Sequence, residues 1–324
     1  MPDQKKSSSI FNFNSSQRKF LKYLGLFSLP ILAIAITLEL MVEDLPSPFK
    51  IIGEYIEAES EEIEVVVFGS SQIKNSINPE FIQKNTLNMS SSARHHNTDF
   101  KLLQGLIDRL PNLKTVVFEV SYGHFEIPHN SKYYWKNSVF LKYYDINTFD
   151  RPLGPTDRLL FISHPGYFST QFMDYYVRDS VPYDYNKWGF DNNYYEGKFQ
   201  KMDYDTQAIA NSFVKMNRRE SLGTLKYNVD YFKEMLDFCE KNGLDVVIIS
   251  PPTYTNYNEK RDQDILRRRD SILSQLSTEY EGLRFLNAET DPRYIVTDFR
   301  NENHLNPDGA EKFSRQLNQV LNQN

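Results

Sequence analysis

The chain has 324 residues, of which 40% are hydrophobic and 25% charged, the proportions of a globular protein able to bury a full core. Its only cysteine, Cys239, excludes an intramolecular disulfide and any cysteine-based metal cluster, and its helical pattern places it in a core. The formal net charge of −6, without a basic segment interleaved with aromatic residues, excludes nucleic acid as an expected partner.

An apolar run near the N-terminus predicts a membrane-spanning helix. Residues 23–38 carry no charge, and sixteen helical residues span roughly 24 Å. Lys22 at one end and the apolar residues 40–42 at the other extend the run toward the ~30 Å hydrocarbon core. The alternative is a cleaved signal peptide, but the A-x-A triplet at 33–35 lies inside the run rather than after it. We therefore predict a tail over 1–19, a transmembrane helix over 20–42 and an α/β domain over 43–324.

The charges that flank this run predict its orientation. Five basic residues precede it and acidic residues follow it, which places the tail in the cytoplasm and the domain outside. Without those five cations and the acidic residue of the tail, the 37 basic and 43 acidic residues fall to 32 and 42. The exported part then has a formal charge of −10, which repels nucleic acid.

Short apolar segments separated by helical patterns predict a parallel sheet. We predict strands at 64–68, 86–89, 115–120, 244–250 and 283–286, and helices over 50–62, 99–110, 228–241 and from 306 onward. Five strands alternating with helices are typical of a doubly wound parallel α/β sheet. Glycine-rich phosphate loops of the P-loop and dinucleotide kinds are absent from the sequence, so we expect no cofactor. A charged helix with arginines at 267–269 is predicted to present them to solvent.

Residues 126–225 interrupt this alternation. Twelve of the 21 tyrosines lie between Tyr133 and Tyr204, together with both tryptophans. We predict an aromatic-rich insertion or lid with little regular structure. Its rings could stack on sugars beside a site, or they could form the core of a poorly patterned subdomain, and the sequence leaves both interpretations open.

The first predicted strand ends in Gly69-Ser70-Ser71. Open α/β sheets place their ligand sites at the carboxyl ends of the strands, and a serine after a tight turn presents its hydroxyl there. Ser71, or alternatively Ser70, is therefore a candidate nucleophile. The competing interpretation is an ordinary turn in which a serine caps the following helix.

A histidine just before the last helix completes the candidate site. His304 lies in a loop at a helix start, where it can reach the same edge of the sheet and act as a general base. Attack on an ester also needs hydrogen-bond donors for the oxyanion, which the turns near Ser92 and Ser121 would supply.

The remaining histidines show no spacing that is diagnostic of a metal site, so no metal is predicted. His95 and His96 follow the predicted oxyanion loop, where they could line the cleft. We favour a solvent-exposed loop pair.

Four segments together resemble the sequence blocks of the SGNH/GDSL hydrolase superfamily. They are residues 68–71, 88–90, 119–121 and 301–309, and the resemblance covers most of 60–320 apart from the insertion. The closest likeness is to membrane-anchored bacterial members with GSS in place of GDS, similar to teichoic-acid D-alanylation proteins and alginate-type O-acetyltransferases. The resemblance implies a three-layer α/β/α, flavodoxin-like fold and a single-pass protein of the bacterial cytoplasmic membrane. It also implies Ser71 as nucleophile, His304 as base, and oxyanion donors from the Ser71 backbone and the two following turns.

The chain departs from the family at three positions. The family's acid lies three residues before the histidine, where this sequence has Asn301. An amide oxygen still accepts the imidazole N–H but adds no negative charge, and Glu302 or Asp298 is a possible substitute acid. The family's oxyanion glycine and asparagine are replaced by serines, namely Ser90 or Ser92, and Ser121.

These observations give one main functional hypothesis and two alternatives. The main one is an extracytoplasmic serine esterase or O-acyltransferase that acts on a cell-surface glycan through an acyl-serine intermediate. The first alternative is a catalytically impaired SGNH-like protein that binds glycan or serves in assembly. The second is a partner subunit of a membrane acyl-donor protein.

Overall fold

A five-stranded parallel sheet forms the centre of the computed structural model, which describes residues 13–180, 183–216 and 221–323. The strand order is β2-β1-β3-β4-β5, and every pair of neighbours is parallel. The bounds are β1 (Val65–Phe68), β2 (Thr86–Asn88), β3 (Thr115–Glu119), β4 (Asp245–Ser250) and β5 (Arg284–Asn287). The predicted doubly wound α/β sheet is confirmed, and the strands lie within two residues of their predicted positions.

Thirteen α-helices and one hairpin surround the sheet in the described residues. The helices are α1 (Ser15–Glu43), α2 (Pro48–Glu59), α3 (Ser71–Lys74), α4 (His96–Leu106), α5 (Lys136–Tyr143), α6 (Leu160–Ser163), α7 (Pro165–Phe172), α8 (Lys198–Lys201), α9 (Thr206–Ala210), α10 (Leu222–Lys241), α11 (Thr255–Asn258), α12 (Gln263–Glu279) and α13 (Pro307–Leu321). The antiparallel hairpin comprises β6 (Phe299–Asn301) and β7 (His304–Leu305), directly before α13.

Alternate strand residues bury into two cores, one on each face of the sheet. Val66 and Phe68 of β1 belong to a core built with α2, α4, α10 and α12, which also contains Cys239. Val65 and Val67 face the opposite core, built with α3 and α13. The four residues of β1 are fully buried because the sheet is covered on both sides, as in a three-layer α/β/α sandwich.

The N-terminal helix α1 is long and apolar enough to cross a membrane, and its side chains from 20 to 37 are exposed. Its last turns pack on the domain instead of ending in a free linker. The Glu39 carboxylate accepts the backbone N–H groups of Leu160 and Phe161 at the start of α6, and the Tyr143 hydroxyl donates to the Glu43 carbonyl at 3.1 Å. Val42 joins Leu160 in a small separate core.

The structure corrects two expectations in part: the insertion has more regular structure than predicted, and one of the three arginines is buried. The segment 126–225 contains five short helices, α5–α9, because apolar side chains such as Phe168 and Phe199 bury against the domain despite weak local periodicity. Arg269 is only 3% exposed: it pairs with the buried Glu289 at 2.7 Å instead of facing solvent.

Candidate active site

The two serines in the turn after β1 occupy different positions relative to α3. Ser70 is the N-cap of α3, and its hydroxyl accepts the backbone N–H of Gln72 at 3.2 Å. Ser71 is the first residue of that helix, so its own N–H has no partner within the helix. The capping interpretation therefore applies to Ser70, and Ser71 stays the candidate nucleophile.

The hairpin before α13 brings an imidazole to Ser71 across 233 residues of sequence. His304 Nε2 lies 2.8 Å from Ser71 Oγ, and His304 Nδ1 lies 2.9 Å from Asn301 Oδ1. The same Asn301 oxygen accepts the Asn303 backbone N–H at 3.1 Å, which fixes the orientation of the amide. Because an amide oxygen only accepts, Nδ1 carries the proton, and the lone pair of Nε2 faces the Ser71 hydroxyl.

The electrostatics of the site keep this imidazole neutral. Burial away from water, and then the nearby Arg300 guanidinium, lower the pKa of His304 to about 4. A neutral imidazole can accept the Ser71 proton, but the uncharged Asn301 gives the resulting imidazolium no ionic partner.

The two carboxylates proposed as substitute acids are directed elsewhere. Glu302 forms an ion pair with Lys198 of α8. Asp298 binds Lys312 of α13 through both oxygens, at 2.7 and 2.9 Å. Of the polar residues in the 298–304 segment, Asn301 is the one that the structure brings to the imidazole.

The two serines proposed for the oxyanion hole have other partners. Ser121 Oγ donates to the Glu119 carboxylate at 2.6 Å. Ser92 is exposed, and its carbonyl accepts from Lys136 Nζ at 2.6 Å and from the Tyr134 hydroxyl at 3.1 Å. The backbone N–H of Ser71 has no partner within α3, and the buried Ser90 Oγ has no hydrogen-bond partner in the described structure, so both stay candidate donors.

Glu119 is a site residue to which the sequence interpretation gave no role. Its carboxylate accepts the backbone N–H of Ser70 at 2.6 Å and the Ser70 hydroxyl at 3.1 Å, so it ties the nucleophile turn to the end of β3. Burial raises the pKa of Glu119, while the hydrogen bonds from the two serines and the charge of Arg94 act in the opposite direction. The sequence signal for this role was a charged residue, Glu119, at the end of a strand predicted to be buried.

Gly69 is required by the same carboxylate. A Cβ at this position would lie 2.8 Å from Glu119 Oε2 and 2.6 Å from Ile73 Cγ1, closer than atoms can approach. The glycine therefore allows the turn to sit directly on Glu119.

A cleft of about 260 Å³ lies next to the site. Ser71 and His304 do not line it, but Lys74 of α3 and Leu305, the residue after His304, do. The insertion contributes four tyrosines to the lining: Tyr167, Tyr183, Tyr185 and Tyr194. The aromatic segment thus contributes both to this cleft and to the core, where Phe168 and Phe199 are buried.

The expectation that His95 and His96 form an exposed loop pair is wrong. They are 4% and 0% exposed, respectively. Each ring donates its Nε2–H to a backbone carbonyl, and the His96 ring stacks on Phe232 at a centroid distance of 4.7 Å.

Comparisons with known proteins add little to this geometry. A scan of the sequence against protein-family models finds no match, and a search of curated proteins finds none. Among solved structures, the chain is similar to a Streptococcus pneumonia protein provisionally described as a platelet activating factor, with 9% identity and a TM-score of 0.41 over 90% of this chain and 99% of that one. At that distance the similarity carries no argument about function, so the chemistry of the site rests on its own residues.

Proposed function

We propose that this protein is a serine esterase or O-acyltransferase of the SGNH/GDSL type that acts on a cell-surface glycan. The observation that carries the proposal is the hydrogen-bonded chain from Ser71 through His304 to Asn301. It joins a nucleophile, a base with its lone pair directed at that nucleophile, and a group that orients the base.

Each step of the reaction has a group to perform it. Ser71 Oγ attacks the carbonyl carbon of an ester, and His304 Nε2 takes its proton while the Ser71 N–H donates to the carbonyl oxygen. The ester C–O bond then breaks, the leaving alkoxide receives the proton from His304, and the acyl group stays on Ser71. Water, or a hydroxyl of a second substrate, reverses these steps and releases an acid or a new ester.

The cleft supports a sugar as the substrate. Tyrosine rings offer flat apolar faces and polar hydroxyls, and Asp191 and Glu196 of the same lining can accept hydrogen bonds from sugar hydroxyls. The apolar helix α1 supports a membrane-anchored protein with its domain outside the cytoplasm, where a membrane acyl-donor protein could supply the acyl group.

An activity-based probe tests the proposal. The full chain in detergent is treated with a fluorophosphonate, which forms a covalent bond with an activated serine. We expect labelling that is lost in Ser71→Ala and strongly reduced in His304→Gln. Ser70→Ala is the matched control, since it removes the neighbouring cap hydroxyl and retains the nucleophile. Equal labelling of Ser71→Ala and the unmodified chain would exclude Ser71 as the nucleophile.

One observation favours a second candidate, a non-catalytic glycan-binding or assembly protein. Asn301 places no negative charge beside the imidazole, and the carboxylates of Asp298 and Glu302 are bound to lysines. This candidate predicts no probe labelling, together with calorimetrically detectable binding of a soluble polysaccharide that survives in Ser71→Ala.

A further inference from the structure

Three buried histidines lie together behind the nucleophile turn, outside the site described above. His95 and His96 begin α4, and His124 follows β3 by a short turn. Their exposed fractions are 4%, 0% and 5%, and one ring nitrogen from each lies within 4.8 Å of those of the other two. Separate loops thus bring three imidazole rings close together.

The hydrogen bonds of two of these rings show which ring nitrogen is left free to bind a ligand. His95 Nε2 lies 2.9 Å from the His124 carbonyl, and His96 Nε2 lies 3.0 Å from the Glu119 carbonyl. Because carbonyls only accept, both rings carry their proton on Nε2 and a lone pair on Nδ1. This arrangement, in which one ring nitrogen donates to a carbonyl and leaves the other to a metal, is the usual one for metal-binding histidines.

Each of the three rings has one buried nitrogen without a hydrogen-bond partner in the described structure. His95 Nδ1, His96 Nδ1 and His124 Nε2 are fully buried and unpaired in the described structure. Buried polar atoms without partners are rare and costly, so three of them at one point call for a ligand that accepts several lone pairs at once. A divalent cation does so.

We propose that His95, His96 and His124 bind a zinc ion or another divalent ion that prefers imidazole ligands. Three nitrogen ligands and no carboxylate suit zinc, copper, nickel or cobalt, and exclude calcium and magnesium, which require oxygen. Zinc–nitrogen bonds of ~2.0–2.1 Å place tetrahedral ligands about 3.4 Å apart, so the widest pair closes by about 1.4 Å on binding.

The surroundings of the cluster would give the ion a structural role. The half-buried His129 lies beside the cluster, with its ring 4.8 Å from that of His95. The ion would join the loop after β2 to the loop after β3. His96 is hydrogen-bonded to the Glu119 carbonyl, and the Glu119 carboxylate accepts the Ser70 N–H. The bound ion would therefore stabilise the residue that supports the nucleophile turn.

Metal uptake by the untagged full chain in detergent tests this inference independently of activity. The chain is stripped with a chelator, incubated with ZnCl₂ and freed of unbound metal, and zinc is measured by mass spectrometry. We expect one zinc per chain and a rise in Tm of about 4 °C at a concentration one-hundred-fold above Kd. His124→Phe, which keeps a stacking ring, should lose both effects, and His164→Asn, outside the cluster, should keep them.

A spectroscopic measurement on the unmodified chain keeps the inference testable if the variants fail to fold. The Co²⁺-loaded chain should show the visible absorption of a four-coordinate site, and X-ray absorption of the zinc form should give three imidazole nitrogens at ~2.0 Å. Uptake below a tenth of an equivalent would overturn the inference, as would equal zinc binding in folded His124→Phe.

Discussion

Asn301→Asp is the substitution that most directly tests how the imidazole works. The side chain at 301 faces His304 Nδ1 at 2.9 Å, so the change adds one negative charge beside the ring without changing the size of the side chain. The existing acceptor contact with the Asn303 N–H is preserved, because a carboxylate oxygen accepts as the amide oxygen does.

The expected magnitude follows from the separation of the charges. Two unit charges about 4 Å apart attract by about 4 kcal/mol at an effective dielectric constant of ~20, which corresponds to about 3 pKa units. The pKa of His304 should therefore rise from about 4 toward about 7. In serine proteases the reverse change, from Asp to Asn, costs roughly 10⁴ in rate. Since the imidazolium is only partly formed in the transition state, we expect a gain of about 10–10³-fold.

The assay is the rate of fluorophosphonate labelling, and of hydrolysis of an activated acetate ester, as a function of pH. Asn301→Asp should raise the rate at pH 8 and move the acidic limb of the profile upward by about three pH units. Asn303→Asp, which adds the same charge elsewhere in the hairpin, is the matched control. If both variants accelerate labelling equally, or if the limb stays in place in Asn301→Asp, the proposed orienting role of residue 301 is refuted.

Three other outcomes are expected. The labelling rate of the unmodified chain should stay constant down to about pH 5 and decline only near pH 4, because the pKa of His304 is lowered to about 4 and the ring stays neutral above it; a decline at pH 6.5 would contradict this. Gly69→Ala should lower the free energy of unfolding by about 1–3 kcal/mol in denaturant titration, since its Cβ clashes, whereas Gly223→Ala, with open space around its Cβ, should not destabilise the chain. Arg94→Met should lower the free energy of unfolding by about 3–5 kcal/mol, because it leaves the buried Asp99 carboxylate, paired at 2.5 Å, without its cation. If Arg94→Met loses less stability than the double variant Arg94→Met/Asp99→Leu, that reasoning is refuted.

Local chemistry made much of the fold predictable. Runs of β-branched residues such as 65–67 bury on both faces of a parallel sheet, and the Asn306-Pro307 start of α13 follows capping preferences, so these elements could be placed from sequence. The short helices α5–α9 could not, because they form through burial against the domain and not through an internal repeat.

The site was predictable in part for the same reason. Sites in open parallel sheets lie at the carboxyl ends of the strands, and this rule predicted that Ser71 after β1 and His304 before α13 would meet. Side-chain partners depend on contacts between distant segments. The pairing of Glu302 with Lys198, and the convergence of His95 with His124, could not be read from spacing along the chain.

The junction between α1 and the domain constrains how the protein is oriented. The Glu39 carboxylate accepts the first two backbone N–H groups of α6. Helix α7 follows α6 directly and contributes Tyr167 to the cleft. A tilt of the N-terminal helix would therefore shift α6 and α7, and with them the part of the cleft that Tyr167 lines. The angle of that helix would then set the height and direction in which the opening of the cleft faces its surroundings.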